Sequence, residues 1–149
     1  MYMHPQDGDN APRRVRARQV DGASHLRART QRVLIIEDDD IAADLLEVYV
    51  ADLGYKHVKR ASNEADAIAA TQEFAPDLIL ADVRLGEDGD GIKAVRLANK
   101  KNGTALVYVT SHPQLTRGEE RAVTLPKGDL TGDRLAQAIE AALLIRFVQ

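Results

Sequence analysis

Apolar residues occur in runs of strand length at 33–36, 78–81 and 105–109, each followed by polar residues. Continuous apolar runs of this kind are typical of strands buried on both faces of a parallel sheet. Weaker runs at 57–61 and 122–125 predict two further strands, which we expect at the edges of the sheet.

Between these runs, apolar residues recur at helical spacing. The stripe predicted for the first helix comprises Ile41, Leu45, Val48, Tyr49 and Leu53, and Gly54 is placed to end that helix in a left-handed conformation. Asp39 or Asp40 is the expected N-cap. Ser62 is the predicted N-cap of a second helix that stops before Pro76.

Two more helices are expected in the second half of the chain. A short one contains Ile92, Val95 and Leu97. The last helical stripe comprises Leu130, Leu135, Ala138, Ile139, Ala142 and Leu143. Strands alternating with helices predict right-handed crossovers and an α/β fold in which helices cover both faces of a parallel sheet. Only 16 residues separate Thr110 from Lys127, so the helix before the fifth strand should be short or irregular.

Composition divides the chain into two parts. Residues 1–32 carry seven Arg against three Asp and lack apolar periodicity, which predicts a disordered basic arm with a net charge of +4, ahead of a folded domain at 33–146. The remaining residues have a net charge of −7, so the net charge of the whole chain is −3. The arm has no aromatic cluster for base stacking, so we expect a solvated tail rather than a nucleic-acid contact. Cysteine is absent and no apolar stretch could span a bilayer, which favours a cytoplasmic protein.

Functional groups follow the predicted strands at the point where each strand ends. Glu37 and Asp38 follow the first, Asp82 the third, Thr110 the fourth, and Lys127 the fifth. Ligands of open α/β sheets gather at the carboxyl ends of the strands. Three carboxylates there could hold Mg²⁺, which prefers oxygen ligands. An aspartate nucleophile forms an acyl phosphate, while an ammonium group and a hydroxyl bind phosphoryl oxygens. The set therefore predicts phosphoryl transfer to a carboxylate.

With these residues in place, the chain resembles the receiver domain of bacterial two-component response regulators over roughly residues 32–146. The resemblance implies a flavodoxin-like doubly wound sheet with strand order 2-1-3-4-5. It further implies that Asp82 is the phosphoacceptor, that Glu37, Asp38, Asp82 and the backbone carbonyl of Arg84 hold Mg²⁺, and that Thr110 and Lys127 bind the phosphoryl group. The segments LILADVRLGEDGDGI and YVTSHPQLTRGE are also similar to the receiver half of general-stress-response regulators, in which a sigma-factor-like domain precedes the receiver.

A chain of this length has no room for the sigma-like domain, so the resemblance implies a stand-alone receiver. Its donor would be a histidine kinase or a phosphotransfer protein, and its output would be a change in protein binding through residues 111–126 and the last helix. A second copy of the chain is another candidate partner. Self-phosphorylation and autodephosphorylation are the only reactions expected. The sequence leaves open whether such a receiver is a phosphate sink, a phosphotransfer intermediate or a modulator of a kinase.

Some positions depart from the receiver pattern. Gly128 follows the lysine where the family usually has proline, and Thr124 stands where many receivers place an aromatic switch residue. These departures keep open a pseudo-receiver that binds partners without phosphorylation. A Mg²⁺-dependent phosphohydrolase with an aspartyl nucleophile is disfavoured, because such sites generally need an acid or base two residues beyond the nucleophile, where this chain has Arg84.

Overall fold

The structure, a computed structural model, describes residues 30–98 and 103–147, together with residue 28. Its central sheet has five strands, β1 (Arg32–Ile36), β2 (His57–Ala61), β3 (Leu78–Ala81), β6 (Ala105–Thr110) and β7 (Ala122–Pro126). They lie in the order β2-β1-β3-β6-β7, and every pairing in the sheet is parallel. The predicted order 2-1-3-4-5 and the two predicted edge strands are therefore confirmed.

Four α-helices surround this sheet in the described part of the chain. They are α1 (Asp40–Asp52), α2 (Glu64–Phe74), α3 (Gly91–Ala98) and α4 (Gly132–Phe147). Alternate residues of the strands point to opposite faces of the sheet. One face packs against α1 and α4, and the other packs against α2 and α3. The sheet is thus covered on both sides, as the continuous apolar runs predict.

The predicted core stripe of α1 is partly wrong. Tyr49 and Leu53 are partly buried against the core, but Ile41, Leu45 and Val48 are exposed at 81%, 41% and 55%. The helix buries Ala43, Leu46 and Val50 instead. Both sets repeat at helical spacing, so periodicity alone cannot select the face that packs on the sheet.

Capping groups define the ends of the first two helices. The Asp39 side chain accepts the backbone N–H groups of Ile41 and Ala42, which confirms one of the two predicted caps of α1. The predicted Ser62 cap of α2 is wrong, because Asn63 fills that position and accepts the N–H of Asp66 at 2.8 Å. Gly54 has φ +97°, so a left-handed residue follows α1 as predicted.

The connection between β6 and β7 has no α-helix. It contains a single 3₁₀ turn at Pro113–Thr116, which confirms the prediction of a short or irregular fourth helix. Another short motif was not predicted. Residues 84–85 and 89–90 form a two-stranded antiparallel pair, β4 (Arg84–Leu85) and β5 (Gly89–Asp90), after β3. Strands of two residues are too short for a periodic apolar signal.

Most of the predicted arm lies outside the described residues. At its end, Ala28 and Gln31 are buried at 4% and 8% exposure, and Ala28 belongs to the core on the α1 and α4 side. Two residues assigned to the arm from the sequence are therefore buried, and the boundary at residue 33 stays a prediction. Within the part that the structure describes, no helix combines the length and the apolar character needed to span a bilayer.

Gly91 begins α3 where the backbone passes closest to Asp82. A methyl group at Gly91 would overlap the carbonyl oxygen of Asp82, whereas one at Gly128 would meet no atom within 4 Å. Overpacking that displaces backbone typically costs about 1–3 kcal/mol. We expect Gly91→Ala to lower the free energy of unfolding by about that amount, as measured by urea denaturation. Gly128→Ala is the matched control and should change it little; equal losses in both variants would contradict this packing account.

Candidate functional site

Parallel pairing brings the acidic residues to one end of the sheet. The N–H of Glu37 donates to the carbonyl of Ala61 at 3.0 Å, and the N–H of Asp82 donates to the carbonyl of Ile36 at 2.8 Å. Both residues thus continue the hydrogen bonding of neighbouring strands by one step. Oxygen atoms of Glu37, Asp38 and Asp82 all lie within 4.8 Å of one another. The three carboxylates predicted to share one site therefore do so.

Glu37 is a buried acid. The residue is only 4% exposed, and one carboxylate oxygen, Oε1, accepts the N–H of Asp39 at 3.2 Å. The other, Oε2, lies 3.0 Å from the Lys127 ammonium as an ion pair but has no donor aligned for a hydrogen bond. Burial raises the pKa of Glu37 to about 7 against the opposing effect of Lys127, and the negative charge of Asp82 adds to the increase. A proton or a cation at this oxygen would relieve the cost of the buried charge.

Asp82 is held by contacts to both of its oxygen atoms. Oδ1 accepts the N–H of Val83 at 2.7 Å, and Oδ2 accepts a hydrogen bond from Lys127 Nζ at 3.0 Å. The residue is 8% exposed. These contacts orient the carboxylate before any ligand is bound, which is what a positioned nucleophile requires.

Lys127 connects two of the acids. It follows β7 directly, and its Nζ lies 3.0 Å from both Glu37 Oε2 and Asp82 Oδ2. Burial by itself would lower the pKa of Lys127, but the hydrogen bond to Asp82 and the nearby negative charge of Glu37 outweigh burial and raise it. The ammonium group therefore stays charged and offsets part of the negative charge of the cluster.

Asp38 lies at the exposed side of the site. Its Oδ2 accepts the N–H of Gly86 at 2.9 Å, which fixes the start of the turn between β4 and β5. Sequence reasoning did not find this role of Gly86, nor the close approach that requires Gly91. The glycines at positions 86, 89 and 91 were the available signal, since glycine inside a short loop often marks a close backbone approach.

The two remaining predicted residues, Thr110 and Arg84, make different contacts. Thr110 is fully buried at the end of β6, and its hydroxyl oxygen accepts the N–H of His112 at 2.9 Å. In this state it therefore bonds to the β6–β7 connection. Arg84 begins β4, and its N–H is 3.5 Å from Asp82 Oδ1. The role of the Arg84 carbonyl as a metal ligand stays a prediction.

The acidic cluster fits a hard divalent cation. It offers three carboxylates from adjacent strand ends, one of them with a buried oxygen that lacks a hydrogen-bond donor. Mg²⁺ prefers such oxygen ligands and keeps some of its waters, for which the exposed side at Asp38 leaves room. A cation here would also reduce the repulsion between carboxylates that Lys127 only partly offsets.

The chain is similar to known signalling proteins. A sequence model of the family described as "Response regulator receiver domain" matches residues 33–124. The phyllosphere-induced regulator PhyR of Methylorubrum extorquens is 32% identical over 83 residues, which are 55% of this chain and 31% of that protein. The positive alginate biosynthesis regulatory protein of Pseudomonas aeruginosa is 30% identical over 115 residues, 74% of this chain and 46% of that protein. The chain thus spans about a third to a half of the length of these relatives.

A solved structure agrees with the sequence matches. The NMR structure of the REC domain of the PhyR response regulator from Erythrobacter litoralis superposes with a TM-score of 0.67 at 26% identity. The superposition covers 76% of this chain and 90% of that one. The likeness therefore extends over nearly the whole of an isolated domain of that type.

The raised pKa of Glu37 predicts how stability depends on pH in protein without metal. Between about 4.5 and 7 the folded state holds a proton that the unfolded state has lost. Stability from this group therefore falls as the pH rises through that window, by an amount on the order of 3 kcal/mol. Urea denaturation from pH 4.5 to 7.5 in EDTA measures this loss of stability. In Glu37→Gln, the part of the pH dependence of stability that comes from Glu37 should be absent. An unchanged slope in the variant would assign the dependence to other groups.

Proposed function

Because the chain belongs to the response regulator receiver domain family, we propose that Asp82 accepts a phosphoryl group from a phosphohistidine on a histidine kinase or phosphotransfer protein. One observation carries the proposal. The Asp82 carboxylate is oriented by the N–H of Val83 and by Lys127 Nζ, and Glu37 and Asp38 lie beside it. This arrangement supports the proposal, because the proposed nucleophile, the Lys127 ammonium and the proposed metal ligands lie together.

The transfer exchanges one bond for another. A carboxylate oxygen of Asp82 forms a P–O bond while the P–N bond of the phosphohistidine breaks, and the imidazole leaves with the electron pair. The product is an aspartyl phosphate, and its hydrolysis by water restores the carboxylate. Catalysis of this kind consists mainly of positioning and charge stabilisation. Lys127 supplies a positive charge 3.0 Å from Asp82 in the described structure.

Glu37, Asp38 and Asp82, with the Arg84 carbonyl, are the proposed ligands of Mg²⁺. When bound, the cation neutralises charge on the phosphoryl oxygens. The protein's own contribution is to keep three carboxylates within 4.8 Å of one another at the cost of their mutual repulsion. Response regulator receivers are generally not enzymes with a separate substrate, and the reactions proposed here are confined to the chain's own aspartate.

Thr110 is proposed to bind the phosphoryl group through its hydroxyl, as one of the groups that transmit its presence. A hydroxyl has one hydrogen to donate. In the described state the Thr110 oxygen accepts the N–H of His112, and this hydrogen bond connects Thr110 to the β6–β7 connection. A change there would alter binding at residues 111–126 and on α4, where Leu144 is 67% exposed. We propose that the output is protein binding in the cytoplasm, including self-association, and that nucleic acid is not the partner.

A second candidate function is a receiver fold that binds partners without phosphorylation. The observation that favours it is at Thr124, the position where many receivers have a switch aromatic. The Thr124 hydroxyl lies 2.6 Å from that of Thr116. A threonine paired in this way cannot move as an aromatic ring would. The experiment below distinguishes the two functions.

Intact mass after incubation with acetyl phosphate and Mg²⁺ tests the proposed function. We expect one phosphoryl adduct of about 80 Da, because Asp82 is the oriented carboxylate of the site. The adduct should be absent from Asp82→Asn and from samples with EDTA. Asp52→Asn, which removes an exposed acid at the end of α1, is the matched control and should keep the adduct. An adduct in Asp82→Asn would show that Asp82 is not the phosphoacceptor. If the parent forms no adduct with acetyl phosphate or with a phosphorylated histidine kinase, the second candidate function is favoured.

A further inference from the structure

The tyrosine on β6 is buried without a hydrogen bond. Tyr108 is 1% exposed, and its hydroxyl has no hydrogen-bond partner among the described residues. A buried polar group without a partner costs stability, and native proteins usually satisfy such groups. Tyr108 belongs to the core on the α2 and α3 side, the same face of β6 to which Thr110 points by strand alternation.

A cleft of about 390 Å³ adjoins this ring. Its lining includes Val95 and Arg96 of α3, Tyr108, and residues 118–121 of the β6–β7 connection. Glu119 lines the same cleft as the Tyr108 ring. Burial raises the pKa of the Tyr108 hydroxyl, and the negative charge of Glu119 adds to the increase. Glu119 forms an ion pair with Arg96. A hydroxyl lacking an acceptor therefore lies near a carboxylate that is bound elsewhere.

Two side-chain contacts hold the β6–β7 connection in its present position, in addition to its backbone hydrogen bonds, such as the one from the Glu119 N–H to the Thr116 carbonyl. At the start, Thr110 accepts the N–H of His112. At the far side of the 3₁₀ turn, the Thr116 hydroxyl donates to the carbonyl of Pro113 at 2.8 Å and contacts the Thr124 hydroxyl. Since Thr116 has one hydrogen and uses it on Pro113, Thr124 must be the donor in that contact.

We propose that Glu119 exchanges its partner between Arg96 and the Tyr108 hydroxyl, and that this exchange moves the β6–β7 connection between two positions. The Arg96 side chain is 67% exposed and that of Glu119 is 15% exposed, so water competes with the carboxylate for the guanidinium and weakens the ion pair. A hydrogen bond from Tyr108 to the carboxylate would be charge-assisted and would satisfy a buried group. The contacts at Thr110 and Thr116 oppose the exchange by fixing the connection on either side of the turn.

This inference rests on the proposed phosphorylation of Asp82, which supplies the cause of the change. When the Thr110 hydroxyl moves to a phosphoryl oxygen, His112 loses its acceptor and the first of the two contacts breaks. Gly118, with φ +88°, lies immediately before Glu119 and allows backbone conformations that other residues rarely adopt. Phosphorylation would thus change the protein surface by a route that runs through Thr110, the β6–β7 connection and Glu119. This route needs no aromatic switch residue at position 124, where the chain has threonine.

The exchange can be observed at the tyrosine ring. In the full chain labelled with ¹³Cζ-tyrosine, the Tyr108 resonance is the one absent from Tyr108→Phe. We expect it to move downfield on phosphorylation, as for a phenol that donates to a carboxylate, and to stay in place in phosphorylated Glu119→Ala. Glu120→Ala, which removes the neighbouring exposed acid, should respond like the parent. A phosphorylated parent with no movement, or a Glu119→Ala protein that responds like the parent, would overturn the exchange.

The variant Arg96→Gln tests the exchange without phosphorylation. Removal of the guanidinium takes away the ion-pair partner of Glu119 in the described structure. If the exchange occurs, the Tyr108 resonance should then already be shifted in the unmodified variant. The shift should disappear when Glu119→Ala is added. An unshifted resonance in Arg96→Gln would also overturn the exchange. Intact mass of each sample keeps the proposals separate, because a missing adduct in the parent counts against phosphorylation of Asp82, whereas a normal adduct with an unresponsive Tyr108 counts against the exchange alone.

Discussion

The interaction on which the site depends is the contact of Lys127 with two acids from adjacent strands. Parallel pairing places Glu37 and Asp82 side by side at one end of the sheet, where burial and like charge oppose ionisation. The ammonium group lies 3.0 Å from both carboxylates and offsets only part of their charge. The cluster therefore favours additional positive charge, and the raised pKa of Glu37 is the sign of this. A site with such a charge imbalance is suited to bind a cation, and a bound cation would in turn offset the negative charge of the proposed phosphoryl group.

The rest of the fold serves this arrangement. Helices on both faces bury the strands and so fix the register that aligns their ends. Asp39 caps α1 next to the site, and the Asp38 carboxylate binds the backbone at Gly86. The short β6–β7 connection begins at Thr110 and ends before β7 delivers Lys127. Thr110 and Lys127, which complete the proposed phosphoryl site, therefore lie immediately before the β6–β7 connection and immediately after β7.

Much of this could be predicted from the sequence because its strongest signals coincide with the central features. Continuous apolar runs identify β1, β3 and β6, and the polar residue after each run identifies the site. The failures have physical reasons. The helix α1 carries apolar residues on two faces, so Ile41 and Val48 fit the helical period as well as Leu46 does. Asn63 rather than Ser62 caps α2. The two residues have similar capping tendencies, so the sequence alone cannot show at which of them the helix begins. Tyr108 reads as an ordinary strand residue, and its unpaired hydroxyl depends on contacts that no local pattern contains.

We propose that Glu37, Asp38 and Asp82 form one cation site and are not independent acids at the ends of strands. The free energy of unfolding at pH 8, measured by urea denaturation against Mg²⁺ concentration at constant ionic strength, tests it most directly. Binding to the folded state raises stability as RT ln(1 + [Mg²⁺]/Kd). We expect this increase in the parent and in Asp52→Asn, and we expect it to be lost in Asp82→Asn and strongly reduced in Glu37→Gln. Equal Mg²⁺ dependence in all four proteins, or none in the parent, would contradict the account.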